Sequence, residues 1–101
     1  MYRLIRSVKL KPATALESIQ IAQEIAEYVN KNYSQTKSQV YTPVFSELQK
    51  VFWFSDFENL SVIEEFGQKI MADEGYMSIV VKLADKIIEG SVKDELFSLQ
   101  T

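Results

Sequence analysis

Cysteine and histidine are both missing from this sequence. Without cysteine the chain cannot form disulfides, thiolate nucleophiles, iron–sulfur clusters or cysteine zinc sites. Without histidine it lacks the commonest general base and the commonest metal ligand. No P-loop, dinucleotide-binding glycine motif, nucleophile elbow or zinc spacing is present either. We therefore expect neither a metal ion nor a cofactor, and no motif assigns an enzyme class.

Long apolar runs and a surplus of positive charge are missing as well. No stretch approaches the roughly 18 consecutive apolar residues of a membrane helix, and no secretory hydrophobic segment is present. Eleven basic and fourteen acidic residues give a net charge of −3, whereas proteins that bind nucleic acids usually carry a basic surplus. The 101 residues have a globular composition. We expect one cytoplasmic domain over residues 1–101, without a membrane or nucleic-acid partner.

Two elements are predicted at the start of the chain. Residues 2–10 are mostly aromatic, β-branched or alternating, and Lys11-Pro12 ends the run, which favours a strand over a short basic targeting segment. Thr14 and Glu17 match a Thr-x-x-Glu capping box. An amphipathic helix then runs to about Asn32, which tolerates the left-handed conformation. Its apolar residues recur at helical spacing: Ala15, Ile19, Ala22, Ile25, Ala26 and Val29.

A hairpin is predicted next. Residues 36–45 are strand-like, and Pro43 within them cannot donate a hydrogen bond to a neighbouring strand. This strand should therefore lie at a sheet edge or carry a bulge. Residues 48–55, centred on Val51–Phe54, form the following strand. Because the connection is so short, the two strands should pair antiparallel.

The next prediction is a helix interrupted near its middle. Ser55-x-x-Glu58 and Asn59 compete as the start of this helix. Apolar residues keep helical period from Leu60 to Ile70, and Gly67 on the same side suggests close approach of another backbone. Residues 73–75, Asp-Glu-Gly, then interrupt the pattern.

Helical period resumes from Tyr76 to Ile87, and Gly90 is placed to follow the end of this helix. Residues 76–81 are apolar enough for a strand, which is the alternative. Residues 91–99 are predicted as the last strand.

The predicted order is β-α-β-β-α-β, with the second helical segment split in two. This order is typical of an α+β ferredoxin-like fold, a four-stranded antiparallel sheet with both helices on one face. The second strand is an edge strand in that topology, in agreement with Pro43. The topology and the proline therefore support each other.

The predicted sheet is apolar on both faces. In residues 51–54 apolar side chains alternate onto both faces, and Leu96 and Phe97 do the same in the last strand. Since helices cover only one face, the other would expose a patch of the kind that marks an interface. We predict a homodimer that packs sheet against sheet and gains about 25 cal/mol per Å² of apolar area. In the alternative, long side chains shield the face of a monomer: Lys37, Gln39 and Lys50.

The second half of the chain resembles a known family in residue detail. The matching segments are 53–60 (Trp-Phe-Ser-Asp-Phe-Glu-Asn-Leu), 68–76 (Gln-Lys-Ile-Met-Ala-Asp-Glu-Gly-Tyr), the helix through Lys82, and 90–96 (Gly-Ser-Val-Lys-Asp-Glu-Leu). The Ala72-Asp73-x-x-Tyr76 and Gly90-Ser91-Val92 pieces are the more specific ones. In these segments the chain resembles the NIPSNAP-like branch of the dimeric α/β-barrel superfamily. Gly67 and Gly75 depart from its pattern.

The resemblance implies a fold and an assembly: two ferredoxin-like protomers whose sheets face each other and enclose a barrel. It implies little about activity, because the wider superfamily includes cofactor-independent, antibiotic-biosynthesis-monooxygenase-like enzymes, haem-degrading enzymes and proteins without known chemistry. Haem degradation needs an axial ligand, usually histidine, and tyrosine would have to replace it here.

Cofactor-independent oxygenation needs a pocket that deprotonates an activated phenol and stabilises its anion. Arg6, Tyr41 and Trp53 are suitable residue types on strands, with Arg6 as the natural partner of the anion. In the alternative interpretation Trp53 and Tyr41 only pack, and Arg6 pairs with Asp94 or Glu95. The adjacent acidic pairs, among them Asp73-Glu74, do not share a face and are interpreted as solvated charges.

Three functions follow as hypotheses. The first is a homodimer without assigned chemistry that holds a small apolar molecule between sheet and helices. The second is a cofactor-independent monooxygenase that acts on an aromatic or polyketide-like substrate. The third is an interaction module whose edge strand recruits a partner.

Overall fold

The computed structural model describes residues 1–44 and 49–101. In these residues, three α-helices and four strands follow one another in the predicted order, and the second helical segment is indeed divided in two. The elements are β1 (Tyr2–Lys9), α1 (Ala15–Asn32), β2 (Lys37–Tyr41), β3 (Lys50–Phe57), α2 (Leu60–Met71), α3 (Glu74–Val80) and β4 (Lys93–Ser98). Phe45 and Leu48, which the predicted hairpin included, lie outside the described residues.

The four strands form one antiparallel sheet in the order β2-β3-β1-β4. This is the ferredoxin-like topology, and it confirms the predicted α+β fold class. The basic segment at residues 2–10 is a central strand, since β1 pairs with β3 on one side and β4 on the other. β2 lies at an edge, as Pro43 predicted. It ends at Tyr41, however, so Pro43 follows the strand instead of interrupting it.

The core lies between one face of the sheet and the helices. Val8 of β1 and Val51 of β3 are register partners and both are buried. Because side chains alternate along a strand, even-numbered residues of β1 and odd-numbered residues of β3 face the helices. The buried core joins this face to α1, α3 and the turn after α3: Val8, Leu10, Ile21, Ala22, Ile25, Ala26, Val51, Trp53, Ile79 and Leu83.

Of the capping residues predicted for the two helix starts, those of α2 are confirmed in part and those of α1 are not. Asn59 caps α2, because its side chain accepts a hydrogen bond from the Val62 amide at 3.0 Å, while Ser55 lies within β3. The Thr14–Glu17 capping box is wrong. Thr14 ends a short 3₁₀ turn, Pro12–Thr14, and its hydroxyl makes no capping bond because its backbone is not extended (φ −122°, ψ 21°). Glu17 instead points toward Lys86, at 3.9 Å.

Several predicted ends and glycine roles also need correction. α1 ends at Asn32 as predicted, but Asn32 is not left-handed, because the chain continues into an extended Tyr33. Gly67 approaches no other backbone among the described residues, since none of their atoms lies within 4 Å of where its Cβ would be. The last helical segment ends near Leu83, not Ile87, which forms a β-bridge with Leu10.

The strand alternative for residues 76–81 is wrong, because these residues are helical. Gly90 has the positive φ of 75° that its type permits, but it lies in a turn closed by the Ser91 amide and the Ile88 carbonyl. It therefore directs the chain into β4 and does not cap a helix. β4 itself is shorter than the predicted 91–99.

Candidate functional site on the two faces of the sheet

The face of the sheet that turns away from the helices has an aromatic centre. We call it the open face, and its apolar side chains are Ile5, Tyr41, Phe52, Phe54 and Phe97. Each has the parity opposite to the core residues of its strand. Tyr41 and Phe97 are each 49% exposed. An apolar cluster of this kind on a protein surface marks an interaction site.

Phe54 is the centre of the open face. Its ring lies 4.7 Å from the Tyr41 ring and 6.4 Å from the Phe52 ring, measured between centroids. The Arg3 guanidinium lies 5.3 Å from the Phe54 centroid and also forms a two-point ion pair with Asp56, at 2.8 and 3.0 Å. These hydrogen bonds hold the pKa of the Asp56 carboxyl below its usual range. Arginine stacked on an aromatic ring and paired with a carboxylate is held in one orientation.

The second feature lies on the opposite face, where β1 meets β4. Leu4 faces Leu96 and Arg6 faces Asp94 across these strands, on the helix-facing side. Tyr76 of α3 is close enough to Arg6 for each to influence the other's pKa. We call these five residues the helix-side corner. Leu96 is 48% exposed although it points toward the helices, so the helices leave this corner uncovered.

A two-point ion pair dominates the helix-side corner. Nε and Nη2 of Arg6 each donate to a carboxylate oxygen of Asp94 at 2.7 Å. These bonds raise the pKa of Arg6 and lower the pKa of Asp94. Burial raises the pKa of the Tyr76 hydroxyl, while the neighbouring Arg6 lowers it. At neutral pH the corner therefore presents a cationic fork beside a protonated phenol.

Helix α2 is only loosely packed on the sheet. It has many apolar residues, but only Ile70 among them is buried. Phe66 touches the rings of Phe57 and Tyr33, each at a centroid distance of 5.3 Å. These contacts hold α2 over the β3 side of the sheet. The β1–β4 side is left uncovered by α2, since Leu96 is half exposed.

Asp73 links the end of α1 to the start of α3. Its carboxylate accepts hydrogen bonds from the hydroxyls of Tyr28 at 2.7 Å and Tyr33 at 2.5 Å, and from the Tyr76 amide at 3.0 Å. Asp73 is thus the N-cap of α3 and not the solvated charge that the sequence suggested. A Cβ at Gly75 would collide with the Tyr28 hydroxyl, so any other residue at this position would force the Tyr28 side chain to shift. The Asp73-x-x-Tyr76 spacing thereby places Tyr76 at the helix-side corner.

Alkaline titration should report on this link. The hydrogen bond to Asp73 raises the pKa of Tyr33 to about 12, against about 10 for an ordinary tyrosine. A raised pKa in the folded state stabilises the fold fully below pH 10, and this stabilisation is lost as the pH rises toward 12. We expect Tyr33→Phe to lower the urea unfolding midpoint at pH 8, and the difference from the unmodified protein to shrink between pH 10 and 12.

The control is Asp73→Asn, which keeps the cap but removes the charge. In this variant the pKa of Tyr33, followed by the absorbance of tyrosinate, should fall back toward 10. If Tyr33 titrated near pH 10 in the unmodified protein, the Asp73 link would be absent in solution.

The structure brings two of the three predicted site residues together: Arg6 and Trp53 are register partners on the helix-facing side of the sheet, whereas Tyr41 lies on the other face. Trp53 lies in the core, 8% exposed, and its indole Nε1 donates to the Ala22 carbonyl at 3.1 Å. Tyr41 belongs to the open face, on the far side of the sheet. Arg6 lies at the helix-side corner and pairs with Asp94, one of the two carboxylates foreseen for it. Tyr28, Tyr33 and Asp73 were not foreseen as a group.

Two grooves lie elsewhere on the described surface, with volumes of about 500 and 620 Å³. The first separates α1 from residues 81–86, and ion pairs of Lys82 with Glu24 and Lys86 with Glu17 cross it. The second lies beside residues 10–19. Neither contains a predicted site residue. Within residues 1–44 and 49–101 no three acidic side chains are arranged to hold a metal ion.

None of the helices described has the length and apolar character needed to cross a membrane. The cytoplasmic location expected from the sequence stays a prediction.

Comparison with known proteins identifies the fold. No protein-family model and no curated protein matches the sequence. Among solved structures, a NIPSNAP domain protein from Burkholderia xenovorans is similar at 12% identity and a TM-score of 0.81, over 98% of this chain and 94% of the other. A NIPSNAP family protein of unknown function from Agrobacterium tumefaciens is similar at 16% identity and a TM-score of 0.79, over 96% and 86%.

A structure described as an antibiotic biosynthesis monooxygenase is similar at 10% identity and a TM-score of 0.75, over the full length of both chains. Identities this low establish the fold and leave the activity open. The resemblance seen in the sequence is therefore confirmed in the fold. The chain has the ferredoxin-like fold that NIPSNAP domain proteins share with antibiotic biosynthesis monooxygenases.

Proposed function

We propose that this chain acts as a homodimer formed through the open face, in which each protomer holds a small apolar molecule at its helix-side corner. The aromatic centre around Phe54 carries the proposal. Tyr41 and Phe97 on this face are half exposed in one protomer. A second copy supplies the same apolar surface, because a two-fold interface matches each patch with itself.

The open face is small for a dimer interface. Its strands β1, β2, β3 and β4 have eight, five, eight and six residues, so at about 4.8 Å between strands and about 3.3 Å per residue one face covers roughly 430 Å². Two such faces together cover about 860 Å², below the roughly 1,000 Å² expected of a specific interface. A small interface needs a well-packed apolar centre to be stable. The three aromatic rings at Tyr41, Phe52 and Phe54 supply that centre.

The uncovered helix-side corner supports the proposal that each protomer holds a ligand. Leu4 and Leu96 offer an apolar floor, and α2 packs on the β3 side of it. A binding site for a small molecule typically combines apolar walls with a few fixed polar groups. Arg6, Asp94 and Tyr76 supply those groups. The site lies on the opposite face from the dimer interface, so one protomer can serve both.

Native mass spectrometry of freshly purified protein tests both parts. We expect a dimer of about 23 kDa, twice the 11.6 kDa of one chain, together with a small-molecule adduct that is lost on denaturation. A dimer without an adduct would contradict the ligand and leave the assembly intact. An 11.6 kDa species at micromolar concentration would contradict the dimer.

A second candidate is a cofactor-independent monooxygenase that acts on an aromatic or polyketide-like substrate. The likeness in fold to an antibiotic biosynthesis monooxygenase favours it, as does the position of Arg6 beside the Tyr76 hydroxyl. In this role Arg6 would stabilise the anion of a deprotonated phenol. Oxygen uptake with a panel of hydroquinones is the assay. Uptake that Arg6→Ala abolishes would support the enzyme, and equal background rates in both proteins would rule it out.

A further inference from the structure

Arg6 keeps hydrogen-bond donors that its ion pair does not use. A guanidinium has five N–H groups in a planar fork. Asp94 accepts one hydrogen bond from Nε–H and one from Nη2–H. The N–H groups on the Nη1 side of the guanidinium are therefore not used by this ion pair. Two-point binding of a second carboxylate on that side is the geometry that arginine favours. The Tyr76 side chain lies beside the guanidinium, close enough for the two groups to shift each other's pKa.

The Arg6–Asp94 pair is also exposed enough to act on a ligand. Its two side chains are 48% and 43% exposed, and pairs as exposed as this contribute at most about 1 kcal/mol to stability. The pair therefore contributes little to stability, and its charged groups are open to solvent. Arg6 lies on the same face of the sheet as the apolar pair Leu4 and Leu96.

From these contacts we infer that the helix-side corner selects an apolar molecule that ends in a carboxylate. The carboxylate binds the free edge of Arg6 and the Tyr76 hydroxyl, and the apolar body lies over Leu4 and Leu96. Asp94 fixes the guanidinium but repels the incoming anion. The inference rests on the proposed ligand site and adds its chemical class.

The chain contains its own control for this site. Arg3, also on β1, forms the same two-point pair with Asp56, but it lies on the open face and stacks on Phe54. Removing Arg3 deletes an equivalent charge from the same strand without touching the helix-side corner. A ligand bound at the corner should respond to Arg6 and not to Arg3.

Calorimetric titration with decanoate and with decyltrimethylammonium, two probes of equal chain length and opposite charge, tests the inference. We expect decanoate to bind at least tenfold more tightly than the cation. Arg6→Ala should weaken decanoate binding at least tenfold, and Arg3→Ala should change it less than twofold. Asp94→Asn, which removes the repelling charge, should strengthen it severalfold.

Equal binding of both probes, or decanoate binding that Arg6→Ala does not weaken, would overturn the carboxylate selectivity and leave the apolar site intact. Binding of neither probe at millimolar concentration would overturn the ligand site itself. Circular dichroism of Arg6→Ala and Asp94→Asn establishes that both variants are folded.

Discussion

A lysine in place of Phe54 is expected to convert the proposed dimer into monomers. Phe54 lies at the centre of the open face, in contact with Tyr41 and Phe52. Burying an ammonium group there is unfavourable, and the Arg3 guanidinium beside it adds repulsion. Each dimer would contain the substitution twice, because the interface is two-fold. We expect the dimer dissociation constant to rise at least 100-fold, about 2.7 kcal/mol, as measured by sedimentation velocity over a concentration series.

The matched control is Leu16→Lys, which also places a lysine at an exposed apolar residue. Leu16 is 80% exposed on α1, on the helix side of the molecule. This variant should remain dimeric. Tyr41→Lys should also weaken the dimer, and it should destabilise the monomer less than Phe54→Lys because Tyr41 is 49% exposed. A Phe54→Lys protein that sediments as the unmodified dimer would place the interface elsewhere.

Truncation of Trp53 is expected to cause the largest loss of stability. The indole is buried with Val8, Val51 and Ala22, and it donates to the Ala22 carbonyl. Replacing it by alanine leaves a cavity and should lower the free energy of unfolding by about 3–5 kcal/mol. Since domains of this size are stable by only about 5–15 kcal/mol, the variant should unfold at much lower urea concentration.

Two further variants separate the causes of this loss. Trp53→Phe keeps most of the packing but loses the indole N–H. The Ala22 carbonyl keeps its hydrogen bond within α1, so this variant should cost only about 0.5–1.5 kcal/mol. Leu16→Ala should change stability by less than about 0.5 kcal/mol, because Leu16 is exposed. Circular dichroism at one protein concentration measures all three. If Trp53→Ala were as stable as Leu16→Ala, the indole could not be packed in the core as described.

The fold could be predicted because each element has a strong local signal. Helical period marked α1 and α2, alternation marked β1, and Pro43 indicated that β2 lies at an edge. Ends of elements were less predictable, since they depend on contacts distant in sequence. The Thr14–Glu17 box failed because a 3₁₀ turn precedes α1. The last helix ended early because Ile87 bridges to Leu10.

The site was less predictable than the fold. Sequence alone could not say which parity of β1 and β3 faces the helices, so Arg6, Tyr41 and Trp53 could not be assigned to faces. The core valines Val8 and Val51 settle this in the structure. The Asp73 link was missed because Tyr28 lies 45 residues earlier in the chain. An aspartate at the interruption between two helical segments was the one local signal of an N-cap.

Distances between spin labels can locate the surface through which two copies meet. The chain has no cysteine, so Gln39→Cys on the open face and Leu16→Cys on α1 each give one labelling site per protomer. Sheets packed face to face lie about 10 Å apart, with the helix layers outside them. We expect a nitroxide pair distance below roughly 30 Å at residue 39 and above roughly 35 Å at residue 16. Absence of dipolar coupling at both positions, or a shorter distance at residue 16, would contradict a dimer formed through the open face.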